Sequence, residues 1–381
     1  MKRLLLVGAG HAHAEVLRDW ALRPLPGCEL VVVSPAALAP YSGMVPGWLA
    51  GSYAYDDICI DIAALAARAG ARFVVDELTG LDPDARRVRL RSGAVLTYDV
   101  LSLNVGSTLQ PPAVPHTRVL SMRPLGALRP AWEQVLGELP HTAPGRPLVV
   151  TAVGGGAAGV EALLAVRARL LRAAAARPVH AALVTSGIGV VPGLAPGAVR
   201  RIERALADAG VTVQIGSTWC DPVGASSDLL LWATGAVAHA WQRDSGLAVS
   251  GAGFIRIDRC LRSVSHPDVF AVGDCAEWAE PLPKAGVYAV RMGPVLARNL
   301  RASLGSGAAT PYAPQRRFLM LLATADGRAV ASYGRWSAGG RWALRWKERI
   351  DRAFLRRFEA TPAPGHDSAS RGDGDLRRGR R

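Results

Sequence analysis

Gly8 and Gly10, with His11-Ala-His13 behind them, close the apolar run Leu4-Leu-Leu-Val7. Gly154, Gly156 and Gly159, with Glu161 two residues on, close a second run, Leu148–Val153. Each time a strand-like segment turns through Gly-x-Gly into a helix-like one. Glycine lets the backbone turn tightly and approach a ligand, and the free N–H groups at the helix start favour a pyrophosphate. In the first turn these groups follow Ala9 and belong to His11 and Ala12. Two such turns, 146 positions apart, predict two dinucleotides held face to face, the arrangement in which a flavin and a nicotinamide exchange a hydride.

The first turn departs from the full fingerprint, because His13 stands where a third glycine allows close helix–strand packing. His-x-His after a strand can also begin a metal site of the amidohydrolase type. That site needs further ligands and leaves the glycines without a role, so no metal is predicted. The next strand of each unit ends in a hydroxyl residue, Ser34 in the first and Thr185 (followed by Ser186) in the second. An acid is common at this position, where it binds the adenosine ribose. Neither that acid nor an arginine for a 2′-phosphate is evident after Thr185, so NADH and NADPH both stay open.

The elements that position these residues alternate. Strands are expected at 4–7, 30–33, 100–105, 181–185, 211–215 and 228–235, with helices at 13–22, 157–176, 197–209, 286–303 and 336–359. Residues 40–51 read as a Gly/Pro-broken loop. This predicts an α/β chain with two Rossmann-like dinucleotide-binding domains, the second inserted in the first, and a C-terminal helical segment. The boundaries read as 1–110 and 249–305 for the first domain, 111–248 for the second, 306–359 for a C-terminal interface region and 360–381 for a disordered tail. No short-period repeat is present.

The chain has 381 residues, half of them hydrophobic, enough for a large core and two or three domains. No apolar run reaches the roughly 18 residues that span a bilayer. The start, Met1-Lys-Arg-Leu-Leu-Leu-Val7, reads as a first strand because its apolar run is short and ends in Gly8-Ala-Gly10. A cytoplasmic location is the expectation. The formal net charge is +14, and residues 335–381 hold thirteen Lys/Arg against six Asp/Glu. Such a basic end suits an anionic membrane surface or nucleic acid, or is a solvated tail; no nucleic-acid partner is expected here. The cysteines, at 28, 59, 220, 260 and 275, show no C-x-x-C or C-x4-C pair and no zinc spacing. They read as small buried residues.

Taken in order, these pieces resemble the pyridine nucleotide-disulfide oxidoreductase superfamily of two-dinucleotide flavoproteins over roughly residues 1–305. The flavin half carries the first glycine turn, Tyr98–Ser107 with Gly106, and Val269–Asp274; the nicotinamide half carries Gly154–Glu161 and Trp232-Ala-Thr-Gly235. The chain looks most like the type II NADH dehydrogenase and sulfide:quinone reductase branch. Gly10–His13, Pro40–Pro46, Pro283–Ala289 and Pro314–Phe318 are similar to a subgroup found beside, or fused ahead of, selenophosphate synthetase.

The resemblance implies roles. Gly273-Asp274 begins a helix near the flavin, and Asp274 accepts hydrogen bonds from the ribityl chain. Glu161 lies near nicotinamide and flavin. Lys284, one of three lysines, sits in Pro283-Lys-Ala-Gly286 beside the flavin, where its charge stabilises the reduced ring. Pro40, Tyr41 and Tyr288 line the flavin's surroundings. Relatives with a redox dithiol place cysteines where this chain has none, so electrons are expected to leave the flavin directly. Trp342, Trp346, Ile350, Phe354 and Phe358 recur every four residues among Arg and Lys347. A basic helix with such a stripe lies flat in a membrane interface, or packs on the protein's own core or on a twin subunit in a homodimer.

The resulting expectation is an FAD-dependent NAD(P)H dehydrogenase passing electrons to a quinone-like acceptor, peripheral on the inner face of the cell membrane. Two alternatives stand beside it. One is a flavoenzyme acting on a small sulfur or selenium species; the other is a flavin-bound regulatory subunit without turnover.

Overall fold

Leu4, Leu5 and Leu6 are fully buried, as are Val31, Val32 and Val33. Continuous apolar runs of this kind form strands covered on both faces, which is the condition of a parallel sheet between helices. The computed structural model describes residues 1–139, 146–173, 177–219, 227–280, 282–315 and 317–359. The expected tail at 360–381 and Cys220 lie outside the described residues.

The first unit runs β1 (Lys2–Val7), α1 (His11–Leu22), β2 (Cys28–Ser34), α2 (Val45–Leu49), β3 (Arg72–Val75) and β4 (Val100–Leu103). The second runs β5 (Arg118–Ser121), β6 (Leu148–Val153), α3 (Ala157–Ala173), β7 (Val179–Thr185), α4 (Pro196–Asp208), β8 (Val211–Ile215) and β9 (Leu229–Trp232). The chain then returns to the first unit with β10 (Val269–Ala271) and α5 (Gly286–Ser303). The strand orders are β10-β4-β1-β2-β3 and β5-β9-β6-β7-β8, all neighbours parallel. The second sheet is thus inserted between strands of the first, giving two Rossmann-like layers. Helices α1 and α5 pack closely on each other, because Gly293 leaves room for Glu15: a Cβ there would lie 2.8 Å from Glu15 Cβ.

Four local readings need correction. The helix expected over 336–359 begins five residues late. Its first part is a strand, β13 (Trp336–Gly340), after β11 (Met320–Ala323) and β12 (Ala329–Tyr333), and only then comes α6 (Arg341–Arg356). The turns Asp326-Gly327 and Gly334-Arg335 fold these strands into an antiparallel sheet. Residues 40–51 hold a single 3₁₀ turn, Ser42–Met44, and α2. Gly273–Cys275 is one 3₁₀ turn, and the long helix waits until Gly286. Among the described cysteines only Cys275 is buried; Cys28, Cys59 and Cys260 are half-buried.

Candidate functional site

The first glycine turn is built around Asn104, a residue to which the sequence reading gave no role. Gly8 has φ +94°. A Cβ on Gly8 would lie 2.4 Å from the Asn104 carbonyl oxygen, one on Gly10 2.2 Å from Asn104 Oδ1, and one on Gly273 2.8 Å from Asn104 Nδ2. Asn104 Oδ1 accepts from the His13 N–H at 3.3 Å, and Nδ2 donates to the Val272 carbonyl at 3.0 Å. One buried amide therefore ties the ends of β1, β4 and β10 to the start of α1.

His13 explains the missing third glycine. Its Nδ1 lies 2.6 Å from the Gly8 carbonyl oxygen and its Nε2 2.8 Å from Ser102 Oγ. A carbonyl can only accept, so Nδ1 carries the proton and Nε2 accepts from the serine hydroxyl. Burial pushes the imidazole down to about 4, so it stays neutral. The ring pins α1 to the sheet, a structural role that removes it from metal chemistry. Among the described residues no cluster of three or more His, Cys, Asp or Glu could hold a metal ion.

Helix α1 starts at Gly10 without a side-chain cap, so the N–H groups of His11 and Ala12 keep the unpaired character of a helix start. Ala12 is buried and Ala9 and His11 are partly exposed. His11 Nε2 is buried without a hydrogen-bond partner, and burial pushes this ring, too, down to about 4. Gly106 (φ +72°) faces open space. An orphaned ring nitrogen and uncapped N–H groups beside open backbone fit a pyrophosphate, and with Asp274 nearby the residues present fit FAD. Ser34, at the end of β2, is buried and spends its hydroxyl on the Ala36 carbonyl at 2.9 Å.

Asp274 is held by a second residue the sequence reading missed. Arg123, just past β5 of the other unit, donates to Asp274 Oδ2 at 2.5 Å, to the Lys284 carbonyl at 3.0 Å and to Ser107 Oγ. This arginine clamps the nucleotide half to the flavin half at the carboxylate. Lys284 does not point its ammonium into open space: Nζ donates to the Ala276 carbonyl at 2.7 Å and lies 3.6 Å from the centre of the Phe254 ring. Burial lowers its pKa. Gly286 opens α5 and packs on Ser42, where a Cβ would lie 2.9 Å from the serine Oγ.

In the second turn Gly154 has φ +119°. Gly159 provides the close helix–strand contact: a Cβ there would lie 2.0 Å from the Gly154 carbonyl oxygen. Gly156 and Gly235 (φ +75°) face open space. Thr185 Oγ1 accepts from the Gly187 N–H at 3.2 Å and borders Gly155.

Glu161 Oε1 accepts from the Ala323 N–H of β11 at 2.8 Å. Burial pushes its carboxyl up to about 7; the Lys347 ammonium and the Ala323 N–H oppose that rise, and Asp351 adds to it. Lys347 and Asp351 belong to α6, whose inner face reaches the first glycine turn. Phe354 stacks 4.6 Å from Tyr41 and 5.9 Å from His11, centre to centre, and Pro40 beside them is buried. The expected stripe on α6 therefore splits. Trp342, Trp346 and Ile350 are exposed, whereas Phe354 and Phe358 are buried. Lys347, expected on the polar face, is buried as well.

Two parallel-sheet units, each with a glycine turn at a helix start, define a double dinucleotide-binding oxidoreductase fold. The family model for pyridine nucleotide-disulphide oxidoreductases matches residues 2–293, and the chain belongs to that family. An NADH dehydrogenase-like protein of Mycobacterium tuberculosis is 29% identical over 246 residues, which span 57% of this chain and 58% of that protein. Two solved structures share the fold. One is the sulfide:quinone oxidoreductase of Aquifex aeolicus (TM-score 0.73, 16% identity, 94% of this chain and 91% of that one). The other is NDH2 from Plasmodium falciparum in complex with NADH (TM-score 0.77, 13% identity, 94% and 97%). No helix among the described residues is long and apolar enough to cross a membrane.

Proposed function

We propose that this chain is an FAD-dependent NAD(P)H dehydrogenase that reduces a quinone-like acceptor. The observation that carries the reading is the pair of glycine turns at helix starts, in two units that Arg123 joins at Asp274. Gly8, Gly10 and the α1 start hold the FAD pyrophosphate, with Asp274 and Arg123 at its flavin side; Gly154, Gly156 and Gly159 hold the nicotinamide nucleotide. Bound FAD supplies the two-electron relay between nicotinamide and acceptor. The net reaction, NAD(P)H plus a quinone plus one proton giving NAD(P)⁺ and quinol, needs a proton the hydride does not carry. Glu161, a carboxyl pushed up to about 7 by burial and set one turn into α3, is suited to deliver it. Anaerobic addition of NADH or NADPH to the purified yellow protein is expected to bleach the flavin band, and a soluble quinone to restore it. No bleaching with either nucleotide refutes the reading.

The outer face of α6 supports membrane docking. Trp342, Trp346 and Ile350 remain 48%, 36% and 39% exposed, flanked by exposed Arg341, Arg345, Arg349 and Arg352. Burying the remaining apolar area is worth roughly 5 kcal/mol before the cost of confinement, and each arginine near an anionic surface adds about 1 kcal/mol. Sedimentation with vesicles containing anionic lipid should show binding, weakened at least tenfold in a Trp342→Ser, Trp346→Ser variant and by high salt. Equal binding of both proteins would exclude this surface.

The likeness of Gly10–His13 and Pro283–Ala289 to the subgroup beside selenophosphate synthetase supports a second reading, in which a small sulfur or selenium species is the electron donor. Sulfide or selenide, and neither nucleotide, would then bleach the flavin.

A further inference from the structure

A cavity of about 270 Å³ lies between the two units. The first unit lines it with Trp48, Ser52 and Tyr53, the second with Trp132 and Glu133 of the helix Leu125–Glu138 and with Arg169 of α3. Among its described lining residues none belongs to a glycine turn. Arg169 stands twelve residues beyond Ala157, about 18 Å along α3 from the second turn. The cavity is therefore separate from the nucleotide site.

The charges around this cavity are engaged, with one exception. Glu133 accepts from Arg129 at 2.8 Å, and Arg129 also reaches Asp56 at 3.5 Å. Arg172 donates to the Ala50 carbonyl. Glu348 of α6 accepts from the Tyr53 hydroxyl at 3.3 Å, and Arg352 lies over the Tyr53 ring. Arg169 is half-buried and has no hydrogen bond, ion pair or ring contact among the described residues. Its guanidinium rests against Gly51 (φ +75°), where a Cβ would lie 2.6 Å from Nη1, so only glycine leaves it that place. A charge drawn partly out of water without a partner is costly, and a guanidinium fork suits a carboxylate. Beside it Trp48 and Trp132 are 8% and 2% exposed, large rings held in place by burial, which favour stacked or edge-on aromatic neighbours. We infer that this cavity binds a planar aromatic anion, a carboxylate on one or two fused rings. The rings pack against Trp48 and Trp132, and the carboxylate takes the Arg169 fork. Pockets for drug-sized ligands start at about 300 Å³, so a ligand of this smaller size is the one that fits. Glu133 does not repel it, because Arg129 neutralises that carboxylate.

The probe is 2-naphthoate, titrated calorimetrically into the full-length, FAD-loaded protein with NAD⁺ present to occupy the nucleotide turn. One site per chain is expected. Binding should weaken at least tenfold in Arg169→Met, which keeps the stem and removes the charge, and Arg169→Lys should recover part of the loss. 2-Naphthalenemethanol, with the same rings and no charge, should bind at least tenfold more weakly than naphthoate. Ser52 is exposed on the rim; Ser52→Asp should weaken naphthoate by a similar factor and Ser52→Asn should not. Because the lining comes from both units, saturating naphthoate should also raise the melting temperature of the wild type and leave that of Arg169→Met unchanged. Wild-type affinity in either Arg169→Met or Ser52→Asp, equal affinity for the uncharged alcohol, or no binding overturns the inference. The titration needs no turnover, so it stands or falls apart from the acceptor reading.

Discussion

Alanine at position 159 is expected to give a yellow protein whose flavin NAD(P)H no longer reduces at a useful rate. The added Cβ would lie 2.0 Å from the carbonyl oxygen of Gly154 and 3.1 Å from its carbon. These are backbone atoms at the end of β6, and they cannot swing aside as a flexible side chain would. Helix α3 must back away from the strand, and its free N–H groups lose their aim at the pyrophosphate. Mis-aiming of this kind removes binding energy and near-attack geometry together; a fall of at least a hundredfold, about 3 kcal/mol, is expected. The flavin turn stands on other residues, Gly8, Gly10 and Asn104, so FAD should remain. Gly156→Ala provides the contrast. A Cβ there meets nothing within 4 Å, so the variant should fold normally and lose affinity only through its encroachment on the bound nucleotide. The measurement is the absorbance spectrum followed by anaerobic stopped-flow reduction. Wild-type reduction by Gly159→Ala would refute the assignment of this turn.

What could be read from the sequence was local. A buried parallel strand announces itself as a continuous apolar run, and a turn at φ +94° or +119° demands glycine. The order of these pieces gave the insertion of one unit into the other. Asn104 and Arg123 were not legible, because each acts across strands that are far apart in sequence. The one available signal for Asn104 was a polar residue that, with Ser102, interrupts the apolar segment Val100–Val105. Lys284 attracted notice as a rare lysine, yet composition says nothing of where an ammonium points, and it points at Phe254 and a carbonyl.

The stripe on α6 failed for a geometrical reason. Residues four apart advance by about 40° around an α-helix, so the three steps from Trp342 to Phe354 turn about 120°. Trp342 and Phe354 therefore cannot share a face, and the stripe passes from solvent at Trp342 to the interior at Phe354, while Phe358 lies past the helix end. Lys347 falls on the inward side of that drift. This is why a helix read as one amphipathic surface carries the ion pair Lys347–Asp351 beneath its tryptophans.

Removal of the Asn104 amide should cost the protein its colour. In Asn104→Ala the Val272 carbonyl loses its amide donor and keeps only the weak Cys275 thiol, and the His13 N–H loses one of its two acceptors, in a site that is 4% exposed. Leaving a buried polar group unsatisfied costs about 1–3 kcal/mol, and the space left by the amide adds to this, so the variant should melt roughly 5–10 °C lower. The larger effect concerns the cofactor. Gly10 and Gly273 both rest against this one side chain, while Gly8 rests on the backbone of the same residue, and without the side chain the start of α1 and the turn that carries Asp274 lose their common reference. The FAD-to-protein ratio after gel filtration should fall at least tenfold, with recovery only at high added FAD. Nucleotide binding should survive, because Gly154, Gly156 and Gly159 make no contact with Asn104; calorimetric titration with NADH and NADPH measures it. Asn104→Asp separates packing from hydrogen bonding: the shape is kept and an acceptor still faces His13 N–H, while the donor to Val272 is gone. It should hold FAD better than the alanine variant and worse than the wild type. Full FAD content in Asn104→Ala would show that the two glycine-lined segments are registered by something other than this amide.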